Sequence, residues 1–221
     1  MSDSLYLSLL TLDPVASRVA RAWLSDVHAM HRMVMSGFPT SVDPAARRAL
    51  GVLFRTDTTD RLTRVLVQST AEPNWSMLDP DSLAAPVRTR DAEALLCLPS
   101  GARLRFRLVA NPTRAIRPPG RDSRHAQHVP LRRDEGPNSR LGWLLRKGEH
   151  GGFTVHLESV VAADRPLMRG RRDGNARLTI EPCRFEGILE ITDAECFRVS
   201  ITSGIGRAKA YGCGLLSVGR P

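Results

Sequence analysis

The sequence contains almost no lysine: Lys147 and Lys209 are the only two, and the other 30 of its 32 basic residues are arginines. A bias of this kind follows from a GC-rich genome, so the preference for arginine says little about function. The sign of the charge says more, because a net charge of +9 and a pI near 10.5 favour a polyanionic partner. RNA or DNA is favoured over a membrane surface, since no basic amphipathic helix stands out.

Long apolar runs are also missing. No stretch approaches the roughly 20 apolar residues that span a bilayer, and the first residues lack the pattern of a signal peptide. We therefore expect a cytoplasmic protein without membrane association. The four cysteines include no CxxC pair, so a zinc site has little support, and reduced thiols in the core are expected instead. With 221 residues, the chain is long enough for one large or two small globular domains.

The predicted elements occur in the same order in both halves of the chain. In the first half, apolar runs and helical spacing predict a strand at 5–12, a helix at 15–36, strands at 50–56 and 62–69, and a last strand at 92–98. The second half predicts a strand around 104–108, a helix at 139–147 that ends before Gly148, strands at 153–161 and 176–191, a helix at 194–203 and a strand at 214–218. Two tandem β-α-β-β-α-β units predict the α+β class with two ferredoxin-like domains, at residues 1–99 and 100–221. The RNA-recognition motif shares this topology, which permits RNA binding without establishing it.

A glycine-rich segment lies near the C-terminus and carries two cations. Its members are Gly204, Gly206, Arg207, Lys209, Gly212 and Gly214. Glycine permits positive φ and close approach of the backbone, so such a segment can direct amides and cations at a phosphate. A predicted helix precedes the segment and a strand follows it, which is the reverse of a mononucleotide-binding loop and favours a nucleic-acid backbone. The alternative is a glycine-rich helix C-cap with a tight turn.

Over essentially its whole length, the chain resembles the CRISPR repeat-cleaving endoribonucleases of type I-E Cascade, the CasE family. The resemblance is carried by the strand Leu5-Tyr6-Leu7-Ser8, the helical stretch 21–31, Phe38-Pro39, the strand 105–113 and the segment 212–217. It implies two ferredoxin-like domains and a ribonuclease that needs no metal or other cofactor. Such an enzyme cuts the CRISPR precursor within each repeat, at the base of a hairpin, and stays bound to the product. The implied partners are the repeat stem-loop RNA and the other Cascade subunits, and nothing favours an obligate homodimer, so the free protein is expected to be a monomer.

The chemistry that the resemblance implies uses the 2′-hydroxyl of the RNA as nucleophile and leaves a 2′,3′-cyclic phosphate and a 5′-hydroxyl. The protein must then position the strand, move protons and stabilise charge. His31 matches the catalytic histidine of the family, and histidine suits proton transfer near neutral pH, as general base or general acid. His28 lies one turn earlier on the same helix face, where a tyrosine is expected in relatives. It is a second proton carrier, or it orients His31 or the phosphate, and an HxxH pair without a third ligand gives little support to a metal site.

Arginines are expected to hold the RNA. In the family, a basic hairpin enters the groove of the RNA stem and an arginine stacks on a base, which here indicates Arg169, Arg171, Arg172 and Arg177. The strand around 104–108 alternates apolar and cationic residues, so Arg105 and Arg107 are further phosphate candidates. Arg207, Lys209 and the amides of the glycine segment are expected to grip the backbone near the cut, whereas Tyr211 is expected to pack in the interior.

Two other functions remain open from the sequence. A non-catalytic RNA-binding subunit of the same fold would keep the glycine segment and the arginines while His31 proved dispensable. A small-molecule-binding ferredoxin-like protein would carry its positive charge for compositional reasons. The salt dependence of RNA binding distinguishes the second alternative from the two RNA functions. Each phosphate contact makes RNA binding weaken by about 0.7 to 0.9 log units per log unit of salt.

Overall fold

The first half of the chain forms a four-stranded antiparallel sheet, against which two helices pack. In this computed structural model, which describes residues 4–39, 46–116, 127–131, 136, 138–171 and 177–221, the strands are β1 (Tyr6–Leu12), β2 (Leu53–Thr58), β3 (Thr63–Ser69) and β4 (Leu83–Asp91). Their order is β2-β3-β1-β4. The helices are α1 (Arg18–Ser25), α2 (Val27–Met35) and the short α3 (Ala46–Ala49). The second helix expected of a β-α-β-β-α-β unit is reduced to one 3-10 turn at Pro80–Ser82.

The second half repeats the strand order in a second sheet. Its elements are β5 (Arg103–Ala110), α4 (Arg140–Gly151), β8 (Phe153–Val155), β9 (Val161–Asp164), β12 (Cys183–Ile191), α5 (Ala194–Ser203) and β13 (Leu216–Gly219), with the hairpins β6 (Thr113–Ile116) to β7 (Gln127–Pro130) and β10 (Met168–Arg171) to β11 (Arg177–Ile180). The order is β13-β5-β12-β8, and β9 also pairs with β12. The two sheets therefore confirm the predicted α+β fold of two tandem ferredoxin-like units.

The predicted helix at 15–36 is wrong in one respect, because the chain forms two helices there instead of one. Asp26 has extended backbone angles, with φ −138° and ψ 120°, and separates α1 from α2. Its carboxylate Oδ1 accepts hydrogen bonds from the amides of His28 (2.7 Å) and Ala29 (3.1 Å). This is an N-cap, and an aspartate in that role favours a new helix start over continuation of the old one.

The predicted last strand of the first unit, at 92–98, is also wrong. The strand is β4, which pairs antiparallel with β1 at the edge of the sheet, where Pro86 costs no ladder hydrogen bond. Residues Glu93–Leu96 form a 3-10 turn instead. Leu95, Leu96 and Leu98 pack against the core of the second unit, which explains their apolar character. The predicted domain boundary at 99/100 falls in the connection between β4 and β5 and stays a prediction.

Three predicted elements of the second half differ in their extent. The predicted strand at 153–161 is β8 and β9 with a 3-10 turn between them, and the predicted strand at 176–191 is β11 and β12. Helix α4 continues past Gly148 to Gly151 and ends at Gly152, which adopts φ +73°. Gly148 is needed inside the helix because a Cβ there would lie 2.5 Å from the carbonyl oxygen of Phe153.

Each unit has its own apolar core, and the second core extends across the boundary. Leu10, Phe54 and Val65 belong to the first core, whereas Phe153, Phe185 and Phe197 belong to the second, which Leu5 of β1 also joins. Cys183 and Cys213 are buried as expected, but Cys97 and Cys196 are exposed, so the prediction of core thiols is wrong for those two. In the described part of the chain, none of the helices has the length and apolar character needed to cross a membrane.

Candidate functional site

Two imidazoles lie side by side on α2, facing the second unit. His28 and His31 are one helical turn apart, and their ring centroids are separated by 6.1 Å. Both side chains are partly buried. Nδ1 of each ring is buried and has no hydrogen-bond partner among the residues that the structure describes. The predicted pairing of the two histidines on one helix face is therefore present in the fold.

Tyr211 from the glycine segment completes this group of rings. Its ring centroid lies 6.5 Å from that of His28 and 6.1 Å from that of His31, and it meets His31 edge-on. The tyrosine sits in a 3-10 turn, Lys209–Tyr211, held between Ala208 at φ +60° and Gly212 at φ +81°. As expected, Tyr211 also packs on an apolar cluster around Cys213. Its contact with the imidazoles was missed, because no local pattern shows that the two units meet there.

The environment of His31 holds its imidazole in the neutral form. Burial, together with the positive charges of His28 and Arg47, lowers the pKa of His31 to about 4. At neutral pH the ring is therefore unprotonated and can accept a proton. Arg47, on α3, is itself fixed by a hydrogen bond that its Nη1 donates to the carbonyl oxygen of Val52 (2.7 Å). Sequence reasoning missed Arg47, since nothing in the sequence distinguishes it from the other arginines.

The glycine segment is largely folded onto the protein. Gly204, Gly206, Gly212 and Gly214 all have φ between +70° and +89°. The amide of Gly204 donates to Ser200 (3.0 Å) and caps α5, that of Ile205 donates to Gly214 (2.9 Å), and that of Gly214 donates to Val109 (2.7 Å). The C-cap alternative thus describes Gly204, and these three amides are not free to bind phosphate, contrary to part of the prediction.

The cations of the segment are better placed for a ligand than its amides. Lys209 donates from Nζ to the carbonyl oxygen of Ser203 (2.7 Å). Burial lowers the pKa of Lys209, and the positive charges of Arg47, Lys147 and Arg48 act in the same direction. Arg207 lies opposite Asn111 in an isolated β-bridge. The charge of Arg47 lowers the pKa of both His31 and Lys209. The positive potential therefore extends from the imidazoles to the glycine segment.

The basic hairpin docks directly on the first turn of α2. In the hairpin β10–β11, a Cβ at Gly170 would lie 2.8 Å from Val27 and 3.0 Å from Asp26 Oδ1. The amide of Arg171 donates to Asp26 Oδ2 (3.1 Å), so one carboxylate caps the helix and holds the hairpin. Burial raises the pKa of Asp26, but the hydrogen bonds from Ala29, His28 and Arg171 outweigh it, and the pKa is lowered.

The predicted arginines fall into two groups. Arg169, Arg171 and Arg177 are exposed on the docked hairpin, and Arg172 lies outside the described residues. On β5, Arg105 is exposed, whereas Arg107 forms ion pairs with Glu186 and, at 3.7 Å, with Asp57. The cationic face of β5 is therefore partly neutralised by acidic residues of neighbouring strands. No group of three or more potential metal-ligating side chains occurs within the described ranges.

Comparison with known proteins identifies the family of the chain. The family model described as "CRISPR associated protein" matches residues 5–220. The chain belongs to this family. CRISPR-associated endoribonuclease Cse3 of Thermus thermophilus is 33% identical over 226 residues, covering 97% of this chain and 99% of that protein. CRISPR system Cascade subunit CasE of Escherichia coli is 31% identical over 205 residues, covering 90% of this chain and 95% of that protein.

Solved structures show the same fold. The structure of Thermus thermophilus Cse3 bound to an RNA representing a pre-cleavage complex matches with a TM-score of 0.78 and 32% identity, over 98% of this chain and 99% of that one. In this member of the CRISPR-associated family, the first unit supplies His28, His31 and Arg47, and the second supplies Tyr211 and Lys209. The candidate site therefore exists only where both units meet.

Proposed function

We propose that this protein is a metal-independent endoribonuclease that cleaves CRISPR precursor RNA within each repeat, at the base of its hairpin. One observation carries the proposal: a neutral His31 lies beside His28 and Tyr211, with the charge of Arg47 acting on it. The names of the two relatives support the proposal, since one is an endoribonuclease and the other a Cascade subunit.

In the proposed reaction, His31 takes the proton of the 2′-hydroxyl at the cut site. The oxygen attacks the adjacent phosphorus in line with the leaving 5′ oxygen, which takes its proton from His28. The products are a 2′,3′-cyclic phosphate and a 5′-hydroxyl. His31 serves as the base because burial, with the charges of His28 and Arg47, lowers its pKa to about 4 and keeps its ring neutral at neutral pH.

Positive charge beside the imidazoles stabilises the phosphorane. Arg47 and Lys209 supply it from opposite units, and preorganised cations in a partly buried site act more strongly than they would in water. Tyr211 packs against both imidazoles and sets their orientation. The chain's own residues thus provide the proton transfers and the charge that the cleavage needs.

The RNA stem is held by the basic hairpin β10–β11. Arg169, Arg171 and Arg177 are exposed there, and the bond from Arg171 to Asp26 fixes their distance from α2. An RNA stem bound by this hairpin would have its lower end, where the strand is cut, beside His31. After cleavage, we propose that the protein keeps the hairpin product and serves as a Cascade subunit in the cytoplasm, with domains at residues 1–99 and 100–221.

Incubation of the full-length protein with a labelled repeat hairpin in excess EDTA tests the proposal. Cleavage at one position within the repeat is expected, and the hairpin product should comigrate with the protein on a native gel. Tight binding without cleavage would favour the non-catalytic RNA-binding subunit instead. Binding whose affinity is independent of salt would exclude both RNA functions.

A further inference from the structure

A cationic cleft adjoins the glycine segment, and neither His28 nor His31 lines it. It has a volume of about 480 Å³ and is formed by helix α4, the hairpin β6–β7 and the segment 204–209. Both lysines of the chain, Lys147 and Lys209, line it together with Arg207 and two imidazoles, those of His128 and His150. Among the residues that the structure describes, none that lines the cleft is acidic. We call it the lysine cleft.

The walls of the lysine cleft are fixed by close packing. Trp143 forms part of the wall, is 6% exposed and stacks on Phe185 with ring centroids 6.1 Å apart. Gly206 lies directly over this indole, because a Cβ there would be 2.9 Å from Trp143. The hydroxyl of Ser200 donates to the carbonyl oxygen of Gly151 (3.0 Å), which ties α5 to the end of α4. The cleft is therefore preformed and its cations project from rigid elements.

Within the described part of the chain, no carboxylate balances the positive charge in the lysine cleft. Within the described ranges, neither Lys147 nor Arg207 forms an ion pair with a carboxylate, and Lys209 hydrogen-bonds only to a backbone carbonyl. The pKa of Lys209 is lowered, mostly by burial. The positive charge of Lys147 repels that of Lys209 and lowers the pKa in the same direction. An anion bound among these groups would relieve that repulsion, and phosphate is the anion that an RNA-binding protein meets.

We propose that the lysine cleft binds the phosphates of single-stranded RNA that adjoins the cleaved hairpin, a role that rests on the proposed function. The turn Lys209–Tyr211 links the two places, since Tyr211 meets the imidazoles while Lys209 lines the cleft. A strand that leaves the reaction centre over this turn enters the cleft. A cleft of this volume admits an extended strand but not a duplex, and the stem is already assigned to the basic hairpin.

Binding measurements on the full-length chain test this site. The probes are the repeat hairpin with its single-stranded flanks and the same hairpin without them, with His31→Ala present throughout to prevent cleavage. Lys147→Gln should weaken binding of the flanked RNA about fivefold at 0.1 M salt and reduce its salt slope by about 0.7, the value for one phosphate of a single strand. Binding of the trimmed hairpin should not change.

Two further variants show whether charge in the cleft is responsible. Lys147→Arg should restore binding of the flanked RNA. Arg146→Gln removes the same charge from the neighbouring position of α4, outside the cleft, and should leave both affinities unchanged. A loss at Lys147→Gln that is equal for both RNAs would overturn the proposal in favour of stem phosphates, and no loss would overturn it outright. If the His31→Ala protein with an intact cleft bound neither RNA, the proposed function would fail and this site with it.

Discussion

His31 depends on its neighbours for its proposed chemical role. An isolated histidine with a pKa near 6.5 is partly protonated at neutral pH, whereas burial and two positive neighbours lower the pKa of His31 to about 4. The neutral ring is then available as a base throughout the physiological range. Because the unfolded chain takes up this proton first, His31 makes the protein less stable as the pH falls from about 6.5 to about 4.

Substitution of Arg47 tests the electrostatic part of this account. Arg47→Gln removes a positive charge that acts on His31, so the pKa of His31 should rise toward its ordinary value. NMR titration of the His31 Cε1 proton measures the pKa, and His31→Ala identifies the signal. Arg48→Gln is the matched control, because Arg48 is the next residue on α3 but does not contribute to the lowered pKa of His31. Equal shifts in both variants would contradict the specific role of Arg47.

Two substitutions of Tyr211 test whether its aromatic ring or its hydroxyl is needed beside the imidazoles. The ring contacts indicate that Tyr211 positions His28 and His31, so Tyr211→Phe should retain the single-turnover cleavage rate within a few-fold. Tyr211→Ala removes the ring and should lower the rate by about tenfold or more, with little change in RNA affinity, because misplaced groups lose rate steeply. A large loss of rate in Tyr211→Phe would instead identify the phenol as a proton donor.

Single elements of the fold were predictable to the extent that local signals determine them. The helix at 194–203 was predicted with its observed bounds, and its N-cap Asp193 and C-terminal Gly204 are local features. The division of the predicted helix 15–36 into two helices was missed. The apolar spacing continues through Asp26, and only the hydrogen bonds that its carboxylate accepts as an N-cap start a new helix there. Strand β4 was missed since its proline is tolerated only at an edge, and edge position is a tertiary property.

At the scale of elements, Asp26 joins α2 to the basic hairpin, and its removal should affect both. Asp26→Ala deletes an N-cap and should destabilise the protein by about 1 kcal/mol in denaturant unfolding. It should also lower the single-turnover cleavage rate, because the amide of Arg171 loses its acceptor. Asp193→Ala, which deletes the cap of α5 alone, should cost similar stability and leave the rate unchanged. Equal cleavage rates in the two variants would show that hairpin docking does not depend on Asp26.

The arrangement of the two units as a whole could not be predicted from the sequence. The resemblance indicated His28, His31 and the glycine segment, but the contacts of Tyr211 with the imidazoles and the effect of Arg47 on Lys209 arise only when the units pack together. Part of that packing is polar. Arg55, 7% exposed on β2, donates from Nη1 to Ser217 Oγ of β13 (2.7 Å) and pairs with Asp57 Oδ2 (2.9 Å).

Loss of Asp57 should therefore weaken the contact between the units. Asp57→Ala leaves the buried guanidinium of Arg55 without its carboxylate, which should cost about 1.5 to 3 kcal/mol of unfolding free energy. Asp60→Ala, at the exposed tip of the β2–β3 hairpin, removes the same charge and should change stability by less than about 0.5 kcal/mol. Denaturant unfolding of both variants makes the comparison, and equal stabilities would mean that the ion pair does not stabilise the junction.

The central claim is that the RNA's own 2′-hydroxyl, deprotonated by His31, cuts the strand. Single-turnover cleavage of a repeat hairpin in excess EDTA tests it most directly, with an all-ribose RNA and one carrying a single 2′-deoxy nucleotide at the cut. We expect the wild type to cleave only the all-ribose RNA and leave a 2′,3′-cyclic phosphate, and His31→Ala to bind it but cleave at least about 100-fold more slowly. Cleavage of the 2′-deoxy RNA, or an unchanged rate in His31→Ala, would contradict the account.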